Sequence, residues 1–173
     1  SGKKGNYNES DFRDADDIYG RSKALGEIIN DKDLTIRTSI IGPELKLNGE
    51  GLFHWFMHQK GKVNGFTTAI WGGVTTLELA KAMDVAIVQQ KTGLIQLSNG
   101  KGITKYDLLN LFKKIWLRND IEILPFDCNG VDKSIAKSEK FLYEVSEYEE
   151  MLLEQYEWMK SHSHLYYQYP GIL

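Results

Sequence analysis

A helical pattern, a polar turn and an apolar strand follow one another between residues 19 and 43. The helix begins near Tyr19 and extends to about Ile29, and the turn after it is rich in Asp and Asn. The apolar run at residues 34–41 ends at Gly42-Pro43, a pair that interrupts regular structure. This succession favours folds in which helices and strands alternate, and it predicts an α/β protein.

A second apolar run, at residues 94–97, predicts a strand beside the first one. The segment between them contains a helical pattern that begins after Thr75 and reaches about Gln90. A strand, a helical connection and another strand suit parallel neighbours joined by a right-handed crossover. We therefore expect the strands at 34–41 and 94–97 to pair in parallel. A further strand is predicted at 121–124.

Three later helices carry a common start signal, a Ser or Thr followed three residues on by an acid. The pairs are Thr75 with Glu78, Thr104 with Asp107, and Ser146 with Glu149. Helical spacing then predicts the inward faces. Those residues are Leu79, Met83, Ala86 and Ile87 in the first helix, Leu108, Leu111, Phe112 and Ile115 in the second, and Met151, Leu152, Gln155 and Met159 in the third.

Composition narrows the class of protein. The formal net charge of −3 does not suggest a nucleic-acid surface. The single cysteine, Cys128, excludes an internal disulfide framework and fits a reducing compartment. No apolar run approaches the roughly 20 residues that span a bilayer. We expect a cytoplasmic protein without a membrane or nucleic-acid partner.

Tyr19 and Lys23 are four residues apart, which places them one above the other on a helix. An ammonium within ~4–6 Å of a phenol favours the phenolate. The pair is therefore a candidate proton donor, with Tyr19 as the general acid in a carbonyl reduction. The alternative is a partly buried aromatic residue beside a solvated lysine.

The segment 5–11 (GNYNESD), the run YGRSKALGE at 19–27 and the Arg37-containing strand resemble the extended short-chain dehydrogenase/reductases. Within them, the sequence is most similar to the dTDP-4-dehydrorhamnose reductase-like branch. The resemblance implies the C-terminal part of a Rossmann-type parallel sheet plus a small α/β substrate-binding domain. Residues 1–42 and 74–99 would belong to the dinucleotide-binding domain, and residues 43–73 and 100–173 to the substrate-binding domain.

The glycine-rich turn that cradles a dinucleotide pyrophosphate is absent from the sequence. The two G-x-G triplets, at 49–51 and 100–102, both lack the third glycine of G-x-G-x-x-G. We therefore expect the chain to be the C-terminal half of a longer enzyme and to be inactive alone. A natural stand-alone protein is the alternative.

The resemblance also implies a cofactor, NADP or NAD, and residues that contact it. Tyr19 and Lys23 would lie at the nicotinamide, with Lys23 bonded to its ribose, and Thr38, Ser39, Ile40 and Ile41 would lie beside the carboxamide. Arg37 lies inside an apolar strand, where a charge is costly unless paired, so we expect it to reach a carboxylate or the sheet edge. A plain strand end followed by a turn is the alternative for residues 38–41.

The predicted substrate is a nucleotide-linked 4-keto sugar, with Asn64 and Trp71 as candidate substrate-binding residues. Core or turn roles are the alternative for both. Aromatic residues are dense at 51–60 and could stack on a base or a sugar. His54 and His58 have the spacing of metal ligands, but no third ligand is evident and we predict no metal site. The rhamnose-type enzymes usually carry an Arg-Pro pair where this sequence has lysines, at 131–137. The identity of the sugar in the substrate is therefore not predicted.

Two other functions remain open. The chain could be a non-catalytic regulatory or scaffolding subunit with a reductase-like fold, or a free-standing interaction domain. If the strand at 34–41 lacks a neighbour, its free edge favours pairing with another chain. For the C-terminal half of an enzyme we therefore expect a homodimer or a larger species, whereas a free-standing interaction domain would be a monomer.

Overall fold

The computed structural model describes residues 1–169, and within them helices alternate with short strands. The helices are α1 (Ile18–Leu25), α2 (Leu52–Met57), α3 (Thr76–Val88), α4 (Lys105–Ile115) and α5 (Tyr148–Ser161), followed by a 3-10 turn at Ser163–Leu165. The strands are β1 (Leu34–Arg37), β2 (Ile40–Ile41), β3 (Gly61–Phe66), β4 (Ile70–Trp71), β5 (Val74–Thr75), β6 (Gly93–Gln96), β7 (Ile103–Thr104), β8 (Ile121–Phe126) and β9 (Asp132–Lys133). None of these helices is long and apolar enough to cross a membrane.

The predicted parallel pair is confirmed. β1 runs parallel to β6, with Leu34 opposite Gly93 and Arg37 opposite Gln96. The predicted strand at 34–41 is nevertheless divided, because the chain changes partner after Arg37. β2 pairs in parallel with β5, not with β6. The polar side chain of Thr38 marks the change, since its hydroxyl donates to the Leu97 carbonyl at 2.7 Å.

A second parallel pair, β3 with β8, was predicted only in part. The strand expected at 121–124 is present and reaches Phe126, whereas β3 was not among the predicted strands. In β3 only Val63 and Gly65 are buried, so its sequence carries a weak apolar signal. A third sheet places β4 between β7 and β9.

Two hydrophobic clusters form the core of the described chain. One joins α2, α4 and α5 to β3 and β8, and the other joins α3 and α5 to β6. The predicted inward faces of α4 and α5 are confirmed. The prediction for α3 is wrong at Met83 and Ile87, which are 46% and 73% exposed. Its buried residues are Glu78, Ala82 and, as predicted, Ala86.

Helix ends follow the predicted signals in two of three cases. The hydroxyls of Thr75 and Thr104 accept hydrogen bonds from the third residue after each, at 3.1 and 3.0 Å. Ser146 is not a cap, because α5 begins one residue later, after Glu147. Helix α1 is shorter than predicted and ends at Gly26, whose N–H donates to the Ser22 carbonyl at 3.1 Å.

Candidate functional site

The predicted catalytic pair, Tyr19 and Lys23, is exposed on α1. Asp17 caps this helix by accepting the N–H of Gly20 at 2.7 Å. One turn of helix then separates Tyr19 from Lys23, whose ammonium nitrogen is 5.4 Å from the centroid of the tyrosine ring. The Tyr19 side chain is 73% exposed. The structure therefore brings the two side chains together and leaves them accessible to a ligand.

Two glycines of the YGRSKALGE run have different local roles. A β-carbon on Gly20 would lie 2.3 Å from that of Ala15, so the segment before the helix packs too closely for any side chain there. At Gly26 an added β-carbon would meet only the carbonyls of the helix's own last turn, at 3.5 and 3.6 Å.

Glu27, the last residue of the YGRSKALGE run, forms an ion pair with Arg37. The two carboxylate oxygens accept from the guanidinium at 2.8 and 2.9 Å, and Arg13 adds an ion pair at 2.7 Å. Hydrogen bonding from Arg37, opposed by burial, lowers the pKa of the Glu27 carboxyl. Arg37 thus reaches a carboxylate, as the sequence led us to expect.

The predicted cofactor residues at the strand end are partly engaged within the fold. Thr38 bonds to Leu97 as described, and the Ser39 hydroxyl accepts from the Trp71 indole at 2.8 Å. The carbonyl of Ser39 accepts from Val74 at 2.9 Å. Ile41 is buried, whereas Ile40 is 54% exposed. Thr38 and Ser39 are thus held by contacts within the fold, whereas the Ile40 side chain is open to solvent.

The predicted substrate residues line two neighbouring grooves. Asn64 is exposed in a groove of about 440 Å³ that it shares with Trp55 and Phe66. Trp71 lies in a groove of about 410 Å³ beside Ile40. Both grooves are lined by Leu52 and Lys105, so they meet at these two residues.

Lys23 faces a third groove, of about 250 Å³, between α1 and the β1–β6 pair. Gln96 lines it and is 1% exposed. The Gln96 amide nitrogen donates to the Tyr7 carbonyl at 3.0 Å, which orients its oxygen away from that carbonyl. Lys133 lines the same groove, whereas Lys137 forms an ion pair with Glu144 at 2.7 Å.

Packing accounts for the two histidines of α2. His54 is buried, and its Nδ1 lies 2.9 Å from the Tyr169 hydroxyl. His58 stacks on it with ring centroids 4.3 Å apart and bonds to the His54 carbonyl at 2.8 Å. Among residues 1–169, no three potential metal ligands cluster. The pair is therefore explained by contacts within the fold.

Sequence reasoning did not single out Lys105 or Glu27. Lys105 follows a helix cap and carries no motif, so only the meeting of the two grooves identifies it. Glu27 lies in the motif, but its bond to Arg37 crosses ten positions of sequence. Both depend on tertiary structure.

Comparison with known proteins identifies the fold. No family model matches the chain, and no curated protein matches it. A hypothetical dTDP-4-dehydrorhamnose reductase from Sulfolobus tokodaii is 28% identical, with a TM-score of 0.59 over 81% of this chain and 50% of its own. A dTDP-4-dehydrorhamnose reductase from Clostridium acetobutylicum is 16% identical, with a TM-score of 0.70 over 92% and 62%. The enzyme from Bacillus anthracis, solved in complex with NADP, is 17% identical, with a TM-score of 0.61 over 80% and 52%.

The chain therefore spans about half to three fifths of the length of these structures. The resemblance inferred from the sequence is confirmed at the level of the fold. The parallel pairs β1–β6, β2–β5 and β3–β8 and the helices between them form a mixed α/β arrangement. This chain has the fold of part of the dTDP-4-dehydrorhamnose reductases and of related short-chain dehydrogenase/reductase-type enzymes.

Proposed function

We propose that the chain is the C-terminal part of an NAD(P)H-dependent oxidoreductase that reduces a nucleotide-linked 4-keto sugar. The observation that carries the proposal is the pairing of Tyr19 and Lys23 on α1, with the ammonium 5.4 Å from the ring centroid. The fold shared with dTDP-4-dehydrorhamnose reductases, one of them solved with NADP, supports the same class of reaction.

In this proposal Tyr19 supplies the proton of the reduction. The carbonyl carbon of the sugar gains a hydride, which bound NADPH or NADH would deliver, and the oxygen gains the phenol proton of Tyr19. Lys23 would hold its positive charge beside the reacting phenol, with its ammonium nitrogen 5.4 Å from the ring centroid. The 73% exposure of Tyr19 leaves room for a substrate to reach it.

The sequence contains only part of the residues that a nicotinamide cofactor site needs. Ile40 and the backbone at the end of β2 would meet the nicotinamide, and Lys23 its ribose. No G-x-G-x-x-G turn is present to hold the pyrophosphate. We infer that the chain alone neither binds the cofactor tightly nor turns over substrate, since positioning supplies much of the rate of such a transfer.

Asn64 and Trp71 are the proposed substrate contacts. Their grooves are lined by aromatic side chains, Trp55 and Phe66 in one and Trp71 in the other. Aromatic faces suit a base or the apolar face of a sugar. The nucleotide-sugar class follows from this lining together with the shared fold.

The first test is a titration of the chain with NADPH and with NADH, followed by nicotinamide fluorescence. We expect no binding up to millimolar cofactor. Micromolar binding would show that a complete cofactor site exists within these 173 residues and would overturn the proposal of an incomplete site.

The second test uses the longer protein that the proposal requires. Replacing Tyr19 with Phe should lower kcat by about 100-fold or more, the contribution of a general acid, in a protein that still binds the cofactor. Tyr167→Phe, at a tyrosine that is 64% exposed and outside the grooves described, is the matched control. A longer protein that binds cofactor but reduces no nucleotide-linked keto sugar would contradict the enzymatic proposal and favour a regulatory subunit.

A further inference from the structure

Lys105 occupies the junction of the two grooves that contain Asn64 and Trp71. It is the first residue of α4, and it lines both grooves together with Leu52. One groove extends from this junction to Trp55 and Phe66, and the other to the end of β2. A ligand that filled both grooves would therefore pass Lys105 at its middle.

The charge of Lys105 is not neutralised within residues 1–169. No carboxylate in this part of the chain lies within ion-pair distance of its ammonium group, although the residue is half-buried. Its nitrogen lies 5.9 Å from the centroid of the Phe66 ring, an attractive but weak contact. The other lysine of the grooves, Lys62, is paired with Glu122 at 3.5 Å.

One acidic residue, Glu44, also lines the groove of Trp71. Its Oε1 accepts the N–H of Gly51 at 2.6 Å, directly before α2. This carboxylate is thus bonded to the backbone at the start of a helix. Lys105 remains the positive charge available to a ligand at the junction.

The position of Lys105 is fixed by close packing of α4 on β3. A β-carbon on Gly65 would lie 2.8 Å from the Tyr106 ring and 3.0 Å from the Tyr106 α-carbon. The absence of a side chain at Gly65 allows the first turn of α4 to approach the strand. The cap at Thr104 holds the same turn, so the backbone that carries Lys105 is well supported.

Resting on the proposed function, we infer that Lys105 binds the diphosphate of a nucleotide-linked sugar. The nucleoside would lie against Trp55 and Phe66, and the sugar toward Trp71. A lysine is a compact positive charge that suits phosphate oxygens from several directions. An aromatic end, a cationic middle and a second aromatic end match the order of base, diphosphate and sugar in such a molecule.

The test is calorimetric titration of the 173-residue chain with dTDP and with thymidine. We expect dTDP to bind more tightly than thymidine. Lys105→Gln should weaken dTDP binding by about 10- to 100-fold, the range of a hydrogen bond to a charged group, and leave thymidine binding unchanged. Lys113→Gln is the matched control, a half-buried lysine of the same helix that lines neither groove.

Two further measurements guard against a folding defect. Lys105→Arg keeps the charge and should retain most of the dTDP affinity, while circular dichroism checks the fold of each variant. The indole N–H signal of Trp55 should shift with dTDP, whereas those of Trp116 and Trp158, which line neither groove, should not. Equal affinity for dTDP and thymidine, or an unchanged dTDP affinity in Lys105→Gln, would overturn the inference.

The outcome separates this inference from the proposed function. Lys105-dependent binding of dTDP, in a protein that reduces nothing, would refute the reductase and retain the diphosphate site. Reduction of a nucleotide sugar by the longer protein, with dTDP affinity independent of Lys105, would refute the diphosphate site and retain the reductase.

Discussion

The guanidinium of Arg37 and the carboxylate of Glu27 form a two-pronged ion pair, with nitrogen–oxygen distances of 2.8 and 2.9 Å. This pair links the segment after α1 to β1. Helix α1 has no buried residue of its own, so little apolar packing holds it in place. The helix that carries Tyr19 and Lys23 therefore depends on a polar contact for its position.

Glu27→Gln should loosen that contact and destabilise the chain. Removing one charge of a partly buried pair leaves the guanidinium incompletely compensated, and the side chains are only 13% and 21% exposed. We expect the free energy of unfolding to fall by about 1–3 kcal/mol, measured by urea denaturation. Hydrogen exchange should accelerate at the amides of α1. Glu139→Gln, at an exposed glutamate, is the control, and an equal loss there would contradict this role.

The cap assignments can be tested with two alanine variants. Thr104→Ala removes a hydroxyl that accepts the Asp107 N–H and should cost about 1 kcal/mol. Ser146→Ala should cost nearly nothing, because α5 begins after Glu147 and no side chain caps it. Thermal denaturation of both variants gives the comparison. A larger loss at Ser146 would show that the sequence signal marks the true cap.

Local sequence signals predicted the elements whose periodicity is strong. In α4, Leu108 and Phe112 recur at helical spacing after a capping threonine, and the predicted cap at Thr104 is the observed one. The four-residue spacing of Tyr19 and Lys23 likewise predicted that their side chains lie close together, because residues one helical turn apart share a face of the helix.

Features set by partner choice could not be predicted in the same way. Nothing in the run at 34–41 shows that its last residues pair with β5 while the first pair with β6. The inward face of α3 is displaced because a charged residue, Glu78, is buried there and bonds to Tyr143 at 3.0 Å. In the sequence, Glu78 was identified only as the acid that follows the Thr75 cap. The meeting of two grooves at Lys105 is a tertiary feature of the same kind.

The buried cluster around Glu78 predicts a loss of stability at alkaline pH. Lys81 bonds to both Glu78 and Glu154, and these hydrogen bonds raise its pKa although burial opposes the shift. Burial and the bond to Glu78 raise the pKa of Tyr143 to about 12. Both groups hold their protons more tightly in the folded state, so the stability they contribute is present below about pH 10 and is lost as the pH rises toward 12.

Thermal denaturation between pH 8 and about 11 measures this effect. The melting temperature should fall above about pH 10, and less steeply in Tyr143→Phe, which cannot lose a phenol proton. Tyr167→Phe, at an exposed tyrosine, should match the parent chain. A parent curve that stays level through this range would contradict the prediction.

The strand edges predict self-association. Within residues 1–169, β1 has β6 as its one strand neighbour and β2 has β5, so each leaves backbone donors and acceptors without a strand partner on its other edge. We expect a dimer or larger species in sedimentation velocity, dissociating on dilution. Ile40→Lys places a charge on the exposed edge strand β2 and should shift the equilibrium toward monomer. Ile87→Lys, at an exposed isoleucine of α3, is the matched control. A parent chain that is monomeric at every concentration would show that these strand edges are covered by other means. Equal effects of Ile40→Lys and Ile87→Lys would show that the contact between chains lies elsewhere.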